Sequence, residues 1–381
     1  SYAVTMRGRP RVLIAGLLVL SAGCSSGDNG VTQGTSLDTE ADEATAETAD
    51  EPATETTDDS GTPTSEPAAT VTDDAALPVF EPAPIAWEQF DDEVDVATLS
   101  VPVDYADPNG AMFELALARY NALDQENRIG TLLINRGGPG FAGAEYAKAA
   151  PFVFDQPLLE RVDIVGWDPR GVGESTPPVD CISDYDPYFN ALDSTPDDDA
   201  EQQLLVDTAR QFADECVRLN GDILEFVGTN SSARDMDTIR RALGEDTISY
   251  YGFSYGSELG GVWTTMFPDT VRAAVFDGAS DPEADPLEAS LQQVAGFDAS
   301  LSTFLARCSD DDECAFHSDG DAEAAFDALM AELDADPLPS ADGRSPVNRD
   351  VAATAVTQAM YLEAYWPALE LSLAAAQDGD G

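Results

Sequence analysis

Ile248-Ser249-Tyr250-Tyr251-Gly252-Phe253-Ser254-Tyr255-Gly256-Ser257 decides how the rest of the chain is read. A short β-branched and aromatic run breaks at one glycine, turns through a serine and resumes at a second glycine ahead of the helix-forming residues 258–267. The stretch therefore predicts a strand, a sharp elbow and a helix. The glycines have a mechanical reason: such an elbow strains the backbone and brings strand and helix so close that a Cβ on either flank would clash. Ser254 is then expected at the carboxyl edge of a sheet, in the position of a nucleophile. Gly-x-Ser-x-Gly also arises from composition alone, so its surroundings must carry the weight.

Those surroundings alternate between strands and helices. Residues 96–103 and 112–120 read as two strands joined by the turn Ala106-Asp107-Pro108-Asn109-Gly110. Residues 128–135 form a third strand that runs into Arg136-Gly137-Gly138-Pro139-Gly140. A fourth, 162–167, ends in Asp168-Pro169-Arg170-Gly171-Val172-Gly173-Glu174-Ser175, the elbow strand is the fifth and 271–276 the sixth. Helices are expected around 201–218 and 232–243, then at 287–305, 322–333 and 351–375. The pattern gives an α/β fold: a mostly parallel sheet with helices on both faces and a helical lid after the sixth strand.

Charge narrows the partners. The 381 residues hold 73 acids against 18 bases, for a net charge of −55, and Lys148 is the only lysine. Such a surface repels nucleic acid and anionic lipid headgroups and suits salty surroundings, where self-repulsion is screened. The acidity is given no catalytic meaning.

Residues 1–24 read as an export signal. Met6 is followed by Arg7, Arg9 and Arg11 and then by an apolar run, 12–20, too short to span a bilayer. Leu20-Ser21-Ala22-Gly23-Cys24 resembles the lipobox of bacterial lipoproteins, which implies a diacylated Cys24 as the mature N-terminus. Residues 25–85 are Thr, Ala, Glu, Asp, Ser and Pro with no base between Arg11 and Arg119, a composition that cannot bury enough apolar surface to fold. This span is expected to be an extended, self-repelling tether. A folded core over 86–282 and a lid over 283–381 follow.

An acyl-transfer site needs a nucleophile, a base, an acid that orients the base, and two donors aimed at the developing oxyanion. Ser254 supplies the first. Gly137-Gly138-Pro139-Gly140 directly after a strand leaves bare N–H groups, and the Tyr255 N–H is the second donor. A glycine-rich turn also suits phosphate, but the spacing matches neither G-x-G-x-x-G nor a P-loop, and the acidic surroundings disfavour an anion. Asp168 and Arg170 read as structural, pinning the loop beneath the glycine turn.

The order Val-Pro-Val-Asp-Tyr at 101–105, Arg-Gly-Gly-Pro-Gly at 136–140, Asp-Pro-Arg-Gly-Val-Gly-Glu-Ser at 168–175, Gly-Phe-Ser-Tyr-Gly at 252–256 and Phe-Pro-Asp-Thr-Val-Arg-Ala-Ala-Val-Phe-Asp-Gly at 267–278 resembles the secreted tripeptidyl aminopeptidases of actinobacteria. These are α/β-hydrolases related to prolyl aminopeptidases, and the likeness covers about residues 90–316. It implies a cofactor-free serine exopeptidase that cleaves short peptides from free N-termini, with Ser254 as nucleophile and Gly138 and Tyr255 as oxyanion donors. Besides Cys24 there are four cysteines, which allow three pairings. The likeness implies a local bridge between Cys308 and Cys314, leaving Cys181 with Cys216. Disulfides in an oxidising compartment are preferred to metal ligation.

One departure is large. In this fold the triad runs Ser, Asp or Glu, His, with the acid and base on loops after later strands. Here the one histidine, His317, falls in the lid, and the last two strands of the fold find no match. The sequence is therefore expected to be the front part of a larger enzyme, monomeric and nearly inert alone. The alternatives are an esterase or other small-molecule hydrolase on the same fold, or a non-catalytic surface lipoprotein.

Overall fold

The structure, a computed structural model, describes residues 78–279, 285–340 and 344–381. The expected signal, Cys24 and the tether up to residue 77 lie outside the described residues. The strands are β1 (Glu88–Gln89), β2 (Val94–Pro102), β3 (Met112–Tyr120), β4 (Gly130–Asn135), β5 (Val162–Trp167), β6 (Ile248–Phe253) and β7 (Val271–Asp277). The helices are α1 (Ala144–Lys148), α2 (Gln156–Arg161), α3 (Asp186–Phe189), α4 (Asp199–Asn220), α5 (Thr229–Ala242), α6 (Tyr255–Met266), α7 (Pro286–Asp310), α8 (Ala322–Ala335), α9 (Arg349–Met360) and α10 (Trp366–Gln377).

The strands form one seven-stranded sheet in the order β1-β2-β3-β5-β4-β6-β7. β5, β4, β6 and β7 run parallel, and the β1–β3 meander joins antiparallel through β3 and β5. Parallel neighbours need a crossover, and α1 with α2 supplies the one from β4 to β5, a pair of short helices the sequence reading did not anticipate. The two-residue β1 was likewise not anticipated, so the expected sixth strand is β7.

β4 and β5 are buried at every position, because helices cover both faces of the parallel part. Side chains on a strand point to alternate faces, so each strand feeds two cores. Leu133, Val165 and Trp167 meet α5 and α6 through Met236, Ile239, Leu259 and Trp263. Leu132, Ile134 and Ile164 meet α1 and α2 through Tyr146, Ala147 and Leu159. Ordered chain begins before β1, within the span read as tether: Ile85 N–H donates to Ala242 O at 3.3 Å, and Phe80 O accepts from Arg241.

α7 to α10 pack about their own core, in which Phe304, Phe316, Leu329, Leu333, Trp366 and Leu373 are buried. The single helix expected over 351–375 is two, α9 and α10, separated by a turn at Leu362–Tyr365, with Pro367 in the first turn of α10 where its missing N–H costs nothing. The segment after β5 docks on this lid: Asp186 accepts from Ser345 at 2.8 Å, and Asn348 donates to Asn190 O and Leu192 O. Disulfides join Cys181 to Cys216 and Cys308 to Cys314, the expected pairing. No helix among the described residues is long and apolar enough to cross a membrane. β7, at the edge of the sheet, is exposed from Ala273 to Asp277.

Candidate active site

Ser254 sits between β6 and α6 with φ 51° and ψ −125°, a conformation that a non-glycine residue adopts only when its surroundings enforce it. The enforcement is visible on both sides. Its N–H donates to Asp277 O at 2.8 Å on β7, and its carbonyl oxygen accepts the Ser257 N–H at 2.8 Å and the Ser257 hydroxyl. A Cβ on Gly252 would run into Gly256 O, and one on Gly256 would come within 2.6 Å of Asn135 O, so strand, elbow and helix close up only with glycine at both places.

The glycine turn lies against this elbow. Gly137 has φ +87°, and a Cβ there would strike Phe253 O and stand 3.1 Å from Ser254 Cβ and 3.2 Å from Tyr255 N. Gly137 therefore abuts both the hydroxyl-bearing residue and the first N–H of α6, one of the orphan donors that every helix N-terminus leaves. Gly137 N–H is itself occupied by Asn135 Oδ1 at 2.9 Å, which makes Gly138 the next donor along the turn. The structure thus sets Gly137 against Ser254 and the Tyr255 N–H, with Gly138 the next residue along the turn. Asn135 was not singled out from the sequence; the signal was a lone amide ending the apolar run Leu132-Leu133-Ile134.

Beneath the site the polar groups are satisfied. Asp168, 1% exposed, accepts from Ala144 N at 2.9 Å and Glu174 N at 2.9 Å, tying the start of α1 to the loop after β5. This is the pinning role expected of it. Arg170 works elsewhere: it makes a paired contact with Asp235 of α5 at 2.8 and 2.6 Å and donates to Val103 O and Phe226 O at 2.9 Å. Burial disfavours the Arg170 charge, but Asp235 outweighs it and the guanidinium is held above its ordinary pKa. Tyr105 donates to the same Asp235 at 2.8 Å, and burial first, then the Asp235 charge, push its hydroxyl well up. Tyr250 donates to Gly256 O at 2.6 Å and Tyr255 shares a 2.8 Å hydrogen bond with Thr229; burial raises both phenols. These neighbours stay neutral and fix the start of α6 without acting as bases.

His317 belongs to the lid core. Its Nδ1 lies 2.9 Å from Cys308 O and its Nε2 3.4 Å from an Asp312 carboxylate oxygen, so both ring nitrogens are engaged away from Ser254. Cys308, Cys314 and Glu370 place ligand atoms within 4.8 Å of one another, but the two sulfurs are joined and offer no thiolate.

Residues 130–349 match the family model described as alpha/beta hydrolase fold. The chain belongs to the α/β-hydrolase family. The serine protease Hip1 of Mycobacterium tuberculosis is 40% identical over 225 residues, 58% of this chain and 42% of that protein. Carboxylesterase B of the same species is 38% identical over 289 residues, 74% of this chain and 55% of that protein. The tripeptidyl aminopeptidase of Streptomyces coelicolor is 37% identical over 210 residues, 52% of this chain and 38% of that protein. This α/β-hydrolase chain spans about half the length, or less, of the curated relatives it matches.

Proposed function

We propose that the chain is the nucleophile-bearing part of an exported, lipid-anchored serine hydrolase that releases short peptides from free N-termini through an acyl-enzyme on Ser254. The observation that carries this reading is the enforced elbow at Ser254 with the Gly137-Gly138 turn against it. A serine hydroxyl is a weak nucleophile without an adjacent base, and His317 is engaged in the lid. On this reading His317 is not that base, and Ser254 needs a base and an orienting acid besides the groups described around it. Without them, donors and binding alone give about 10³ to 10⁴-fold acceleration over water.

Peptide substrates are suggested by relatives named serine protease and tripeptidyl aminopeptidase. An ester substrate is the second reading, favoured by the carboxylesterase B match over 74% of the chain. The test uses the polypeptide as its source produces it, with a fluorophosphonate probe and matched tripeptidyl anilide and p-nitrophenyl ester substrates. Labelling that Ser254→Ala abolishes, with turnover favouring the anilide, supports the peptidase; ester preference supports the second reading. No labelling leaves only a non-catalytic surface protein. Palmitate incorporation lost in Cys24→Ala tests the anchor.

A further inference from the structure

In a chain with 73 acids to 18 bases, a cation without a carboxylate is unexpected. Arg119, Arg128, Arg170, Arg240, Arg241 and Arg272 each hold one. Arg136 does not: its contacts are to two aromatic rings, its guanidinium carbon lying 4.9 Å from the centre of Phe141 and 5.3 Å from that of Tyr146. Among the described residues it makes neither an ion pair nor a hydrogen bond, so its N–H donors are uncommitted.

Its place is at the site. Arg136 immediately precedes Gly137, whose backbone abuts Ser254. Phe141, 49% exposed, lies with its Cδ2 3.2 Å from where a Cβ on Gly138 would stand. Tyr146 packs edge-on against Phe253, the residue before Ser254, with ring centres 5.7 Å apart. The two rings hold the guanidinium by attraction to its charge and leave its planar fork of donors free, the geometry that takes a carboxylate through two parallel hydrogen bonds. The rest of this acidic surface repels an anion, so one guanidinium without a carboxylate beside the glycine turn would be a local exception in the field.

We propose that Arg136 anchors a substrate carboxylate, and that the enzyme takes peptides with an acidic residue adjacent to the bond attacked by Ser254. This rests on the reading of Ser254 as nucleophile. The expected turn against anions at the glycine motif then holds for its backbone and is reversed by the side chain of Arg136. Phe141 and Tyr146 act as positioning residues, fixing the height and plane of the cation.

The experiment uses the polypeptide as its source produces it and two pairs of fluorogenic peptides with a free N-terminus, one of tripeptidyl dye amides and one of longer, internally quenched peptides. One pair differs by Glu against Gln before the scissile bond, the other by the same change after it. In at least one pair, kcat/KM for Glu over Gln should exceed about tenfold at low salt, the size of a well-formed charge-assisted contact, and shrink in 1 M salt. Arg136→Gln should bring that ratio to about one, and Arg136→Lys, which keeps the charge and loses the fork, should fall between. A side chain that only buttresses Phe141 would change all substrates alike and leave the ratio alone. A wild-type ratio at or below one in both pairs overturns the proposal, as does an unchanged ratio in Arg136→Gln. If Arg136→Gln does not fold, an Arg136→Lys ratio equal to wild type at every salt concentration overturns it instead. Fluorophosphonate labelling in the same samples separates the two levels: a labelled enzyme without charge preference sinks only the Arg136 proposal, and an unlabelled one sinks the nucleophile reading beneath it.

Discussion

Asn135 Oδ1 accepts the Gly137 N–H at 2.9 Å from a side chain only 2% exposed. That bond sets the angle at which the glycine turn leaves β4 and therefore where the next N–H along the turn sits.

Asn135→Ala should leave the buried Gly137 N–H without its partner, a cost of about 1–3 kcal/mol seen as a lower denaturant midpoint. The rate of fluorophosphonate labelling at Ser254 should fall about tenfold or more, because a donor displaced from an oxyanion is worth that much. Asn135→Asp keeps an acceptor and should be the milder change. Labelling of Asn135→Ala at the wild-type rate would remove Asn135 from the site.

The pair Arg170 and Asp235 is fully buried, with side chains 0% exposed. Asp235→Ala leaves a buried guanidinium without its carboxylate and should cost about 3–5 kcal/mol, whereas replacing both partners with well-packed apolar residues should recover much of it. Chemical denaturation of the single and double variants measures this; an Asp235→Ala loss below about 1 kcal/mol would contradict the assignment.

Glu245 gathers Arg128, Thr131 and Arg272 beneath the sheet. Burial alone would raise its pKa, but the hydrogen bonds from Arg128 and Thr131 outweigh it and the carboxyl sits below its ordinary value. An acid depressed in the folded state contributes stability that is fully present above the unfolded value, about 4.3, and is lost as pH falls through the lower folded value. The stability difference between wild type and Glu245→Gln should therefore be constant near neutrality, shrink below about pH 5 and vanish once both forms are uncharged. Taking the difference removes the general relief of acidic self-repulsion. A difference independent of pH down to about 3 would show that Glu245 owes nothing to its partners.

The two disulfides close loops of different size, with sequence separations of 35 and 6. The chain-entropy relation gives about 4 kcal/mol for the larger and about 2 kcal/mol for the smaller. Replacing Cys181 and Cys216 with serine should therefore lower the denaturant midpoint more than the same change at Cys308 and Cys314. The reverse order would point to local strain or packing as the dominant effect.

Much of this was legible in residue order. β4 and β5 are short apolar runs, and a run buried on both faces leaves little choice of face. The elbow was legible because glycine is the only residue its geometry admits at Gly252 and Gly256. What stayed hidden depended on long-range meeting. Nothing local marks Asp235 as the partner of Arg170, 65 residues away, because the pairing exists only once the loop after β5 and α5 have been placed. The break between α9 and α10 was hidden for the opposite reason, since the apolar periodicity runs straight through the turn.

Ser254 N–H is held by Asp277 O, and Asp277 ends an edge strand exposed over its last five residues. The stiffness of the elbow is in that respect borrowed from an edge. Amide exchange at Ser254 should accordingly be set by how often β7 frays, and not by the opening of the buried strands β4 and β5 beside it. Whatever lies over the outer side of β7 would then quiet the backbone of the reactive serine from a full strand away, without touching it.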